Sequence, residues 1–263
     1  MANINFYFRN KKRQLKNYND VEIAYNEFGK KKDWCEGKSA ESLARFWFNE
    51  NTDPFTIMLE SEFGLIKLID GFFEATTPFD NVPRGPRNHD ILFKNVIYDK
   101  GKMTIGVEAK GNEEYAKLIK EKYDYVNKKR QIGQNSNQDI RLDAIFDSLN
   151  GKENKIDINA YKELRYQLFS GLVGTITEAK KNKSNCAVFI IHQFLTHRSI
   201  AESLERNYND LHQFLDFIGI KKLMKSGDII KVPLNFQETD IANIKYASDG
   251  IDVYIGYLKT KLD

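Results

Sequence analysis

Residues 72–111, FFEATTPFDNVPRGPRNHDILFKNVIYDKGKMTIGVEAKG, hold three short apolar runs separated by turn-forming segments. Runs of that length, punctuated by Pro, Gly, Asn and Asp, read as strands joined by loops, so this part of the chain is committed to a sheet. The connector 76–88 carries three of the chain's five prolines as well as Gly85, which marks it as a loop. Asp99-Lys100-Gly101 between the second and third runs is a hairpin signal. A strand is therefore expected over 72–75, and two more over 90–98 and 103–110.

The third run ends on Gly106-Val107-Glu108-Ala109-Lys110. Successive side chains of a strand point to opposite faces, so Glu108 and Lys110 share one face and Val107 and Ala109 the other. A carboxylate and an ammonium at the end of an apolar strand are costly to desolvate unless something uses them. If the strand led by Asp90 pairs with this one, a second carboxylate reaches the same point. Two carboxylates and a lysine around one spot suit a hard divalent cation that activates water at a phosphate.

The rest of the chain narrows the function by exclusion. Its 40 Lys+Arg against 37 Asp+Glu give a net charge of only +3, so bulk charge does not argue for nucleic-acid binding and any basic surface is local. Cys35 and Cys186 are far apart and read as reduced thiols. The first residues lack the apolar core of a signal peptide and no long uncharged apolar run follows, so a cytoplasmic protein with no membrane segment is expected. Phosphate-binding glycine loops and a Gly-x-Ser-x-Gly elbow are missing, as is any metal-binding spacing around His192, His197 and His212.

Residues 4–8 alternate as an edge strand, and the basic runs 9–13 and 30–32 read as solvated faces or as a phosphate-contacting arm. Residues 39–48 have helical spacing, with Ala40, Leu43, Ala44 and Trp47 on the apolar stripe. Glu41 falls off that stripe and reads as a solvated carboxylate rather than an extra metal ligand. Residues 54–69 read as helical or mixed. Further helices are expected over 113–130, 140–149, 159–181 and 200–218, and strands over 186–192, 229–234 and 251–258. The near-continuous apolar run 186–192 signals a strand buried on both faces. The expected organisation is one domain, with a core over 39–194, an N-terminal arm over 1–33 and a C-terminal extension over 195–263.

The order helix, three-strand meander, helical excursion, long helix, buried strand, with Asp90 on the second meander strand and Glu108-Ala109-Lys110 on the third, resembles the PD-(D/E)XK nuclease superfamily. Trp34 before the Ser39-Ala40 helix, the Gly/Arg-rich loop before Asp90, and the Arg165-Tyr166-Gln167-Leu168 helix are similar to an uncharacterised bacterial branch of it. Asn88-His89 stands where the family places a proline. The resemblance implies a mixed α/β fold of the α+β kind, with a restriction-endonuclease-like αβββαβ core, a helical insertion and a C-terminal extension.

It also implies a nuclease in which Asp90, Glu108 and the Ala109 carbonyl bind Mg2+, with Mn2+ able to substitute. Lys110 would activate water or stabilise the phosphate, its pKa depressed by the nearby metal. Gln167 resembles the glutamine that some members place against the metal water or substrate. Arg84, Arg87 and Arg165 would hold phosphate, although a helix turns about 200° over two residues, so Arg165 and Gln167 do not both face the site squarely. Glu74 reads either as an additional acid or as a strand-end acid paired with a loop arginine. The implied partner is DNA, with a homodimer or a partner protein added by analogy with the fold, and the implied setting is restriction, phage defence or repair. The alternative is a catalytically inactive nuclease-like fold that binds nucleic acid or protein.

Overall fold

The three runs of the meander form adjacent strands of one mixed sheet, and runs from both ends of the chain join it. The structure, a computed structural model, describes residues 4–10, 13–49, 51–78, 87–134, 136–150, 157–232 and 251–262. In chain order the first half comprises β1 (Asn5–Phe8), β2 (Arg13–Leu15), α1 (Tyr18–Glu27), α2 (Ser39–Asn49), α3 (Asp53–Phe63), β3 (Ile66–Lys67), β4 (Asp70–Thr77), β5 (Arg87–Tyr98) and β6 (Gly101–Lys110). The second half comprises α4 (Ile119–Gln131), α5 (Gln138–Asn150), α6 (Tyr166–Lys181), β7 (Cys186–Leu195), α7 (Ala201–Phe217), β8 (Asp228–Lys231) and β9 (Asp252–Lys261).

The strand order is β2-β1-β4-β5-β6-β7-β9-β8, with β3 pairing β5 outside that path. The β4–β5–β6 meander is antiparallel, whereas β6, β7 and β9 run parallel. The fold is therefore mixed α/β of the α+β kind. β1 is no edge strand, because β2 closes its outer side and β4 its inner side.

Alternation along the central strands decides which layer each residue feeds. Ile105, Val107 and Ala109 face the aromatic-rich core under α1, α2 and α3, with Phe46, Trp47, Phe55 and Phe93. Ala187, Phe189 and Ile191 of β7 face a second core under α4 to α7. β7 is buried on both faces, as its continuous apolar run requires. Helices thus cover both faces of the sheet, and β6 and β7 lie at its centre.

Two helices begin later than their periodicity suggests. α4 starts at Ile119 and not at 113, and α6 starts at Tyr166 and not at 159. Tertiary hydrogen bonds claim the intervening backbone. The Ile119 N–H donates to Leu164 O, Lys120 N–H to Lys162 O, and Tyr166 N–H to Lys117 O, at 3.0, 2.9 and 3.2 Å. The excursion α4–α5 is thereby tied to the first turn of α6, next to the open end of β6.

Candidate active site

The β5–β6 hairpin is regular from its turn, Tyr98 opposite Gly101, up to the pair Ile91–Val107, apart from a bulge between Phe93 and Val96. There the ladder stops. The next N–H of β6, that of Ala109, is taken by the Asp90 carboxylate (Oδ2, 2.7 Å) in place of a backbone carbonyl. β6 stays paired with β7 through Lys110, and β5 stays paired with β4 through Arg87. The sheet therefore parts between two well-supported halves, and the acids sit in the gap. Rigid strands on either side fix their geometry, which is what a reacting constellation needs.

Glu108 is fully buried, and both of its oxygens carry a cation: Lys110 Nζ on Oε1 at 2.6 Å, and the Arg87 guanidinium on Oε2. Burial alone would push the Glu108 carboxyl up, but Lys110 and Arg87 outweigh it and hold it below the usual range. For Lys110, which is only 3% exposed, burial would lower the pKa, yet Glu108 and Asp90 raise it. Asp90 behaves in the opposite way. Burial, reinforced by the charge of Glu108, pushes its carboxyl up to about 8 against the pull of Lys110. At neutral pH the group is one carboxylate, two cations and a largely protonated Asp90. With no metal present, the two acids that face Lys110 hold its pKa above the usual lysine range; the depression expected of it belongs to a metal-bound site.

Arg87 is the first residue of β5, not a loop arginine, and its side chain is buried. A smooth patch of α6 lets it in. A Cβ on Gly174 would stand 3.0 Å from Arg87 Cγ, and one on Gly171 would stand 3.3 Å from Arg87 Nη2. Arg87 Nε is buried without a hydrogen-bond acceptor, so the guanidinium is only partly satisfied.

The other expected residues divide. Gln167 comes to the site: it lines the cavity above Asp90, and its Oε1 accepts the Ala116 N–H at 2.8 Å. Glu74 comes too, held in β4 at a left-handed φ of 51° that a side chain seldom adopts. It accepts from the Tyr25 hydroxyl (2.9 Å), from Asn88 (3.4 Å) and from Lys30, so among the described residues its cationic partner is a lysine of the run 30–32 that reads as solvated. Arg165 is not brought in. It caps α6 facing Asp210 and Glu114, at 2.9 and 3.0 Å. Glu41 is 7% exposed rather than solvated, and it accepts from the Tyr18 hydroxyl at 3.1 Å. It does not line the cavity, because α1 packs over the face that periodicity left outside. Arg84 lies outside the described residues.

Above the gap opens a cavity of about 530 Å3. Arg87, Asp90 and Lys110 line its floor, with Glu108 sealed just beneath them. Lys30, Lys38 and Ser39 also line it, as do Lys122 of α4 and Arg141 of α5. Glu113 adds an acid that sequence reasoning missed. Its Oε1 accepts the Ser39 N–H at 2.8 Å, a carboxylate on a helix N-terminus, while its Oε2 is buried without a partner.

Of the two acids, Asp90 leaves Oδ1 without a hydrogen bond from the described residues, whereas both Glu108 oxygens are taken by Lys110 and Arg87. Among the described residues no cluster of three His, Cys, Asp or Glu side chains is placed to hold a metal ion. A metal here would rest on the two acids and backbone carbonyl oxygen, and the Arg87 guanidinium already supplies a positive charge at Glu108.

The family described as Domain of unknown function (DUF6946) matches residues 14–262, and the chain belongs to it. The match spans every element from α1 to β9. No curated protein and no solved structure matches the chain. Among the described residues no helix is long and apolar enough to cross a membrane.

Proposed function

We propose that the protein is a divalent-cation-dependent nuclease of the PD-(D/E)XK kind that hydrolyses phosphodiester bonds, with DNA as its first substrate. The observation that carries this reading is the meeting of Asp90, Glu108 and Lys110 at the parting of β5 and β6, beneath a cavity lined by basic side chains. The succession α2, the β4–β5–β6 meander, α6 and β7 supports the same assignment. Among the described residues, six basic and four acidic side chains line the cavity, a local excess that the net charge of the whole chain hides.

Asp90, Glu108 and the Ala109 carbonyl would hold Mg2+ or Mn2+, whose charge lowers the pKa of an attacking water and offsets that of the phosphate. The chain's own groups supply the rest. Lys110, whose Nζ lies 2.6 Å from Glu108 Oε1, would activate the attacking water or stabilise charge on the phosphate. Gln167, with its carbonyl oxygen committed to Ala116, has its amide N–H groups left for a substrate oxygen. Arg87, which lines the cavity and pairs with Glu108, would hold a phosphate oxygen. The cytoplasm is the compartment proposed, with a homodimer or a partner protein supplying further DNA affinity.

A binding module without catalysis is the competing reading, favoured by the Arg87 side chain over Glu108. Cleavage of plasmid and linear DNA with Mg2+, Mn2+ or EDTA separates the two, run alongside Asp90→Asn and Glu108→Gln. The nuclease reading expects metal-dependent cutting that both variants lose. If no DNA or RNA is cut and calorimetry shows no binding of Mg2+ or Mn2+, the site is a recognition surface.

A further inference from the structure

Helix α4 carries five basic and two acidic side chains in 13 residues, an excess of three that equals the net charge of +3 on the whole chain. The rest of the chain is balanced, so the net charge is gathered on one element. Two of the five basic groups are spent: Lys120 pairs with Glu163 at 2.6 Å, and Arg130 pairs with Asp139. Lys122 and Lys129 are held differently. Lys122 Nζ lies over the Tyr166 ring, 4.5 Å from its centroid, and Lys129 Nζ lies over the Tyr125 ring at 5.6 Å. Lys129 also donates to the neutral Gln134 Oε1 at 2.5 Å. A ring face steadies an ammonium without cancelling its charge, whereas a carboxylate cancels it. Among the described residues neither lysine forms an ion pair with a carboxylate. The acids of α4 are turned elsewhere: Glu121 Oε2 accepts the Leu118 N–H at 2.7 Å, and Asp124 lies about 200° round the helix from Lys122.

Positions 122, 125 and 129 follow the i, i+3, i+7 spacing of one helix face, so Lys122, Tyr125 and Lys129 form a stripe. Its first member lines the cavity together with Asp90 and Lys110. Its last stands two turns further on, about 10 Å along the helix axis. That distance is about three steps of one nucleic-acid strand, at roughly 3.4 Å per step. Resting on the nuclease reading above, we infer that α4 is a backbone track: a nucleic-acid strand with a phosphate at Asp90 continues along this face, and Lys122 and Lys129 each hold one of its phosphates. Burial and the neighbouring charge of Lys117 lower the Lys122 pKa, a crowding that an anionic backbone relieves. An anionic membrane also attracts basic helices, but it takes up a free apolar face, and Ile119 and Val126 of α4 are buried in the protein. A phosphodiester backbone asks only for positive charges at a suitable spacing.

The test measures binding in EDTA, where no cutting occurs, by fluorescence anisotropy of labelled DNA and RNA over a range of salt concentrations. Lys122→Ala and Lys129→Ala should each weaken binding roughly threefold or more and lower the salt slope by about one, the signature of one lost phosphate contact. Lys120→Ala removes the same charge from the same helix, about 200° round from Lys122, and should leave the slope unchanged. Thermal melting of each variant separates loss of contact from loss of fold. Three results overturn the inference: no nucleic-acid binding by the wild type, a slope indifferent to Lys122→Ala and Lys129→Ala in folded protein, or a Lys120→Ala loss equal to theirs. Binding to phosphatidylserine vesicles that Lys129→Ala abolishes, with none to nucleic acid, overturns it as well. Metal-dependent cutting beside any of these leaves the nuclease reading standing. Binding that follows Lys122 and Lys129, with no cutting under any metal, keeps the track and removes the nuclease.

Discussion

Two arginine–carboxylate clusters flank the first turn of α6, and they are built on opposite principles. Around Arg165 two cations face two acids: Arg165 reaches Asp210 and Glu114, and Arg206 reaches Glu114 at 3.3 Å. Glu114 is half exposed, so water covers any mismatch. This cluster is complete in itself and fastens α7 to the start of α6. Around Glu108 the same residue types are buried, and the count balances only if Asp90 ionises, which burial resists. The strands part at that point, a glycine patch admits Arg87, and Arg87 Nε finds no acceptor. A fold gains nothing in stability from such an arrangement. An uneven, costly charge set at the floor of a cavity makes a candidate functional site, whereas the Arg165 set is balanced and has one acid, Glu114, open to water.

The sharpest way to break that contrast is Glu108→Gln. It leaves Lys110 and Arg87 buried without their counter-ion, so unfolding in urea should show a loss of about 3–5 kcal/mol, together with loss of cutting. A loss under about 1 kcal/mol would make the Glu108 cluster no different from an exposed ion pair. Asp90→Asn comes next, and its effect has a sign. The Asp90 carboxyl titrates near 3.8 when unperturbed and about 8 in the fold, so the folded state holds the proton more tightly between those values. Stability from this group is full below about pH 4 and is lost as pH rises toward about 8, by an amount on the order of a few kcal/mol. Asn cannot ionise. The variant should therefore be the more stable protein at pH 8 and show a flatter pH profile, while the nuclease reading expects it to lose cutting. A wild-type profile that rises from pH 5 to pH 8 relative to Asp90→Asn would overturn the assignment of Asp90 as a buried, protonated acid.

Much of this contrast reads from local pattern. The period-two alternation of Val107-Glu108-Ala109-Lys110 and the turn at Asp99-Lys100-Gly101 bring the strand led by Asp90 alongside Glu108, but the turn register alone would set Asp90 level with Ala109, and it is the bulge between Phe93 and Val96, invisible in the pattern, that shifts it by one residue. The buried run of β7 is equally legible. What escapes the pattern is whatever depends on a distant partner. Arg87 reads as a loop arginine until Gly171 and Gly174 are seen to make room for it, and they matter only because α6 crosses β5 there. Lys30 belongs to a run that looks solvated, and its link to Glu74 spans much of the N-terminal chain. Glu41 lies off the apolar stripe of its own helix, but α1 supplies the Tyr18 hydroxyl that covers it. Charge patterns report what a helix shows to its surroundings, and they are silent about which surroundings arrive.

The glycine patch gives a middle-sized test of how Arg87 is admitted. A Cβ on Gly171 would lie 2.4 Å from Phe189 Cζ as well as beside Arg87. Gly171→Ala should cost about 1–3 kcal/mol by overpacking, with a larger proportional loss of cutting as Arg87 is pushed off its track. Gly174→Ala meets Arg87 and His89 at 3.0–3.1 Å and should do the same more weakly. The smallest effect on cutting is expected at the other cluster. Arg165→Ala removes partners from Asp210 and Glu114, but those acids keep Arg206 nearby, and Glu114 is open to water. Asp210 is left largely buried, so stability should fall by about 1–3 kcal/mol, but the cutting rate should stay within about twofold of wild type. The two outcomes together decide the matter: if Arg165→Ala impairs cutting as severely as Gly171→Ala, the fastening is part of the site, and the line drawn between the two clusters is in the wrong place.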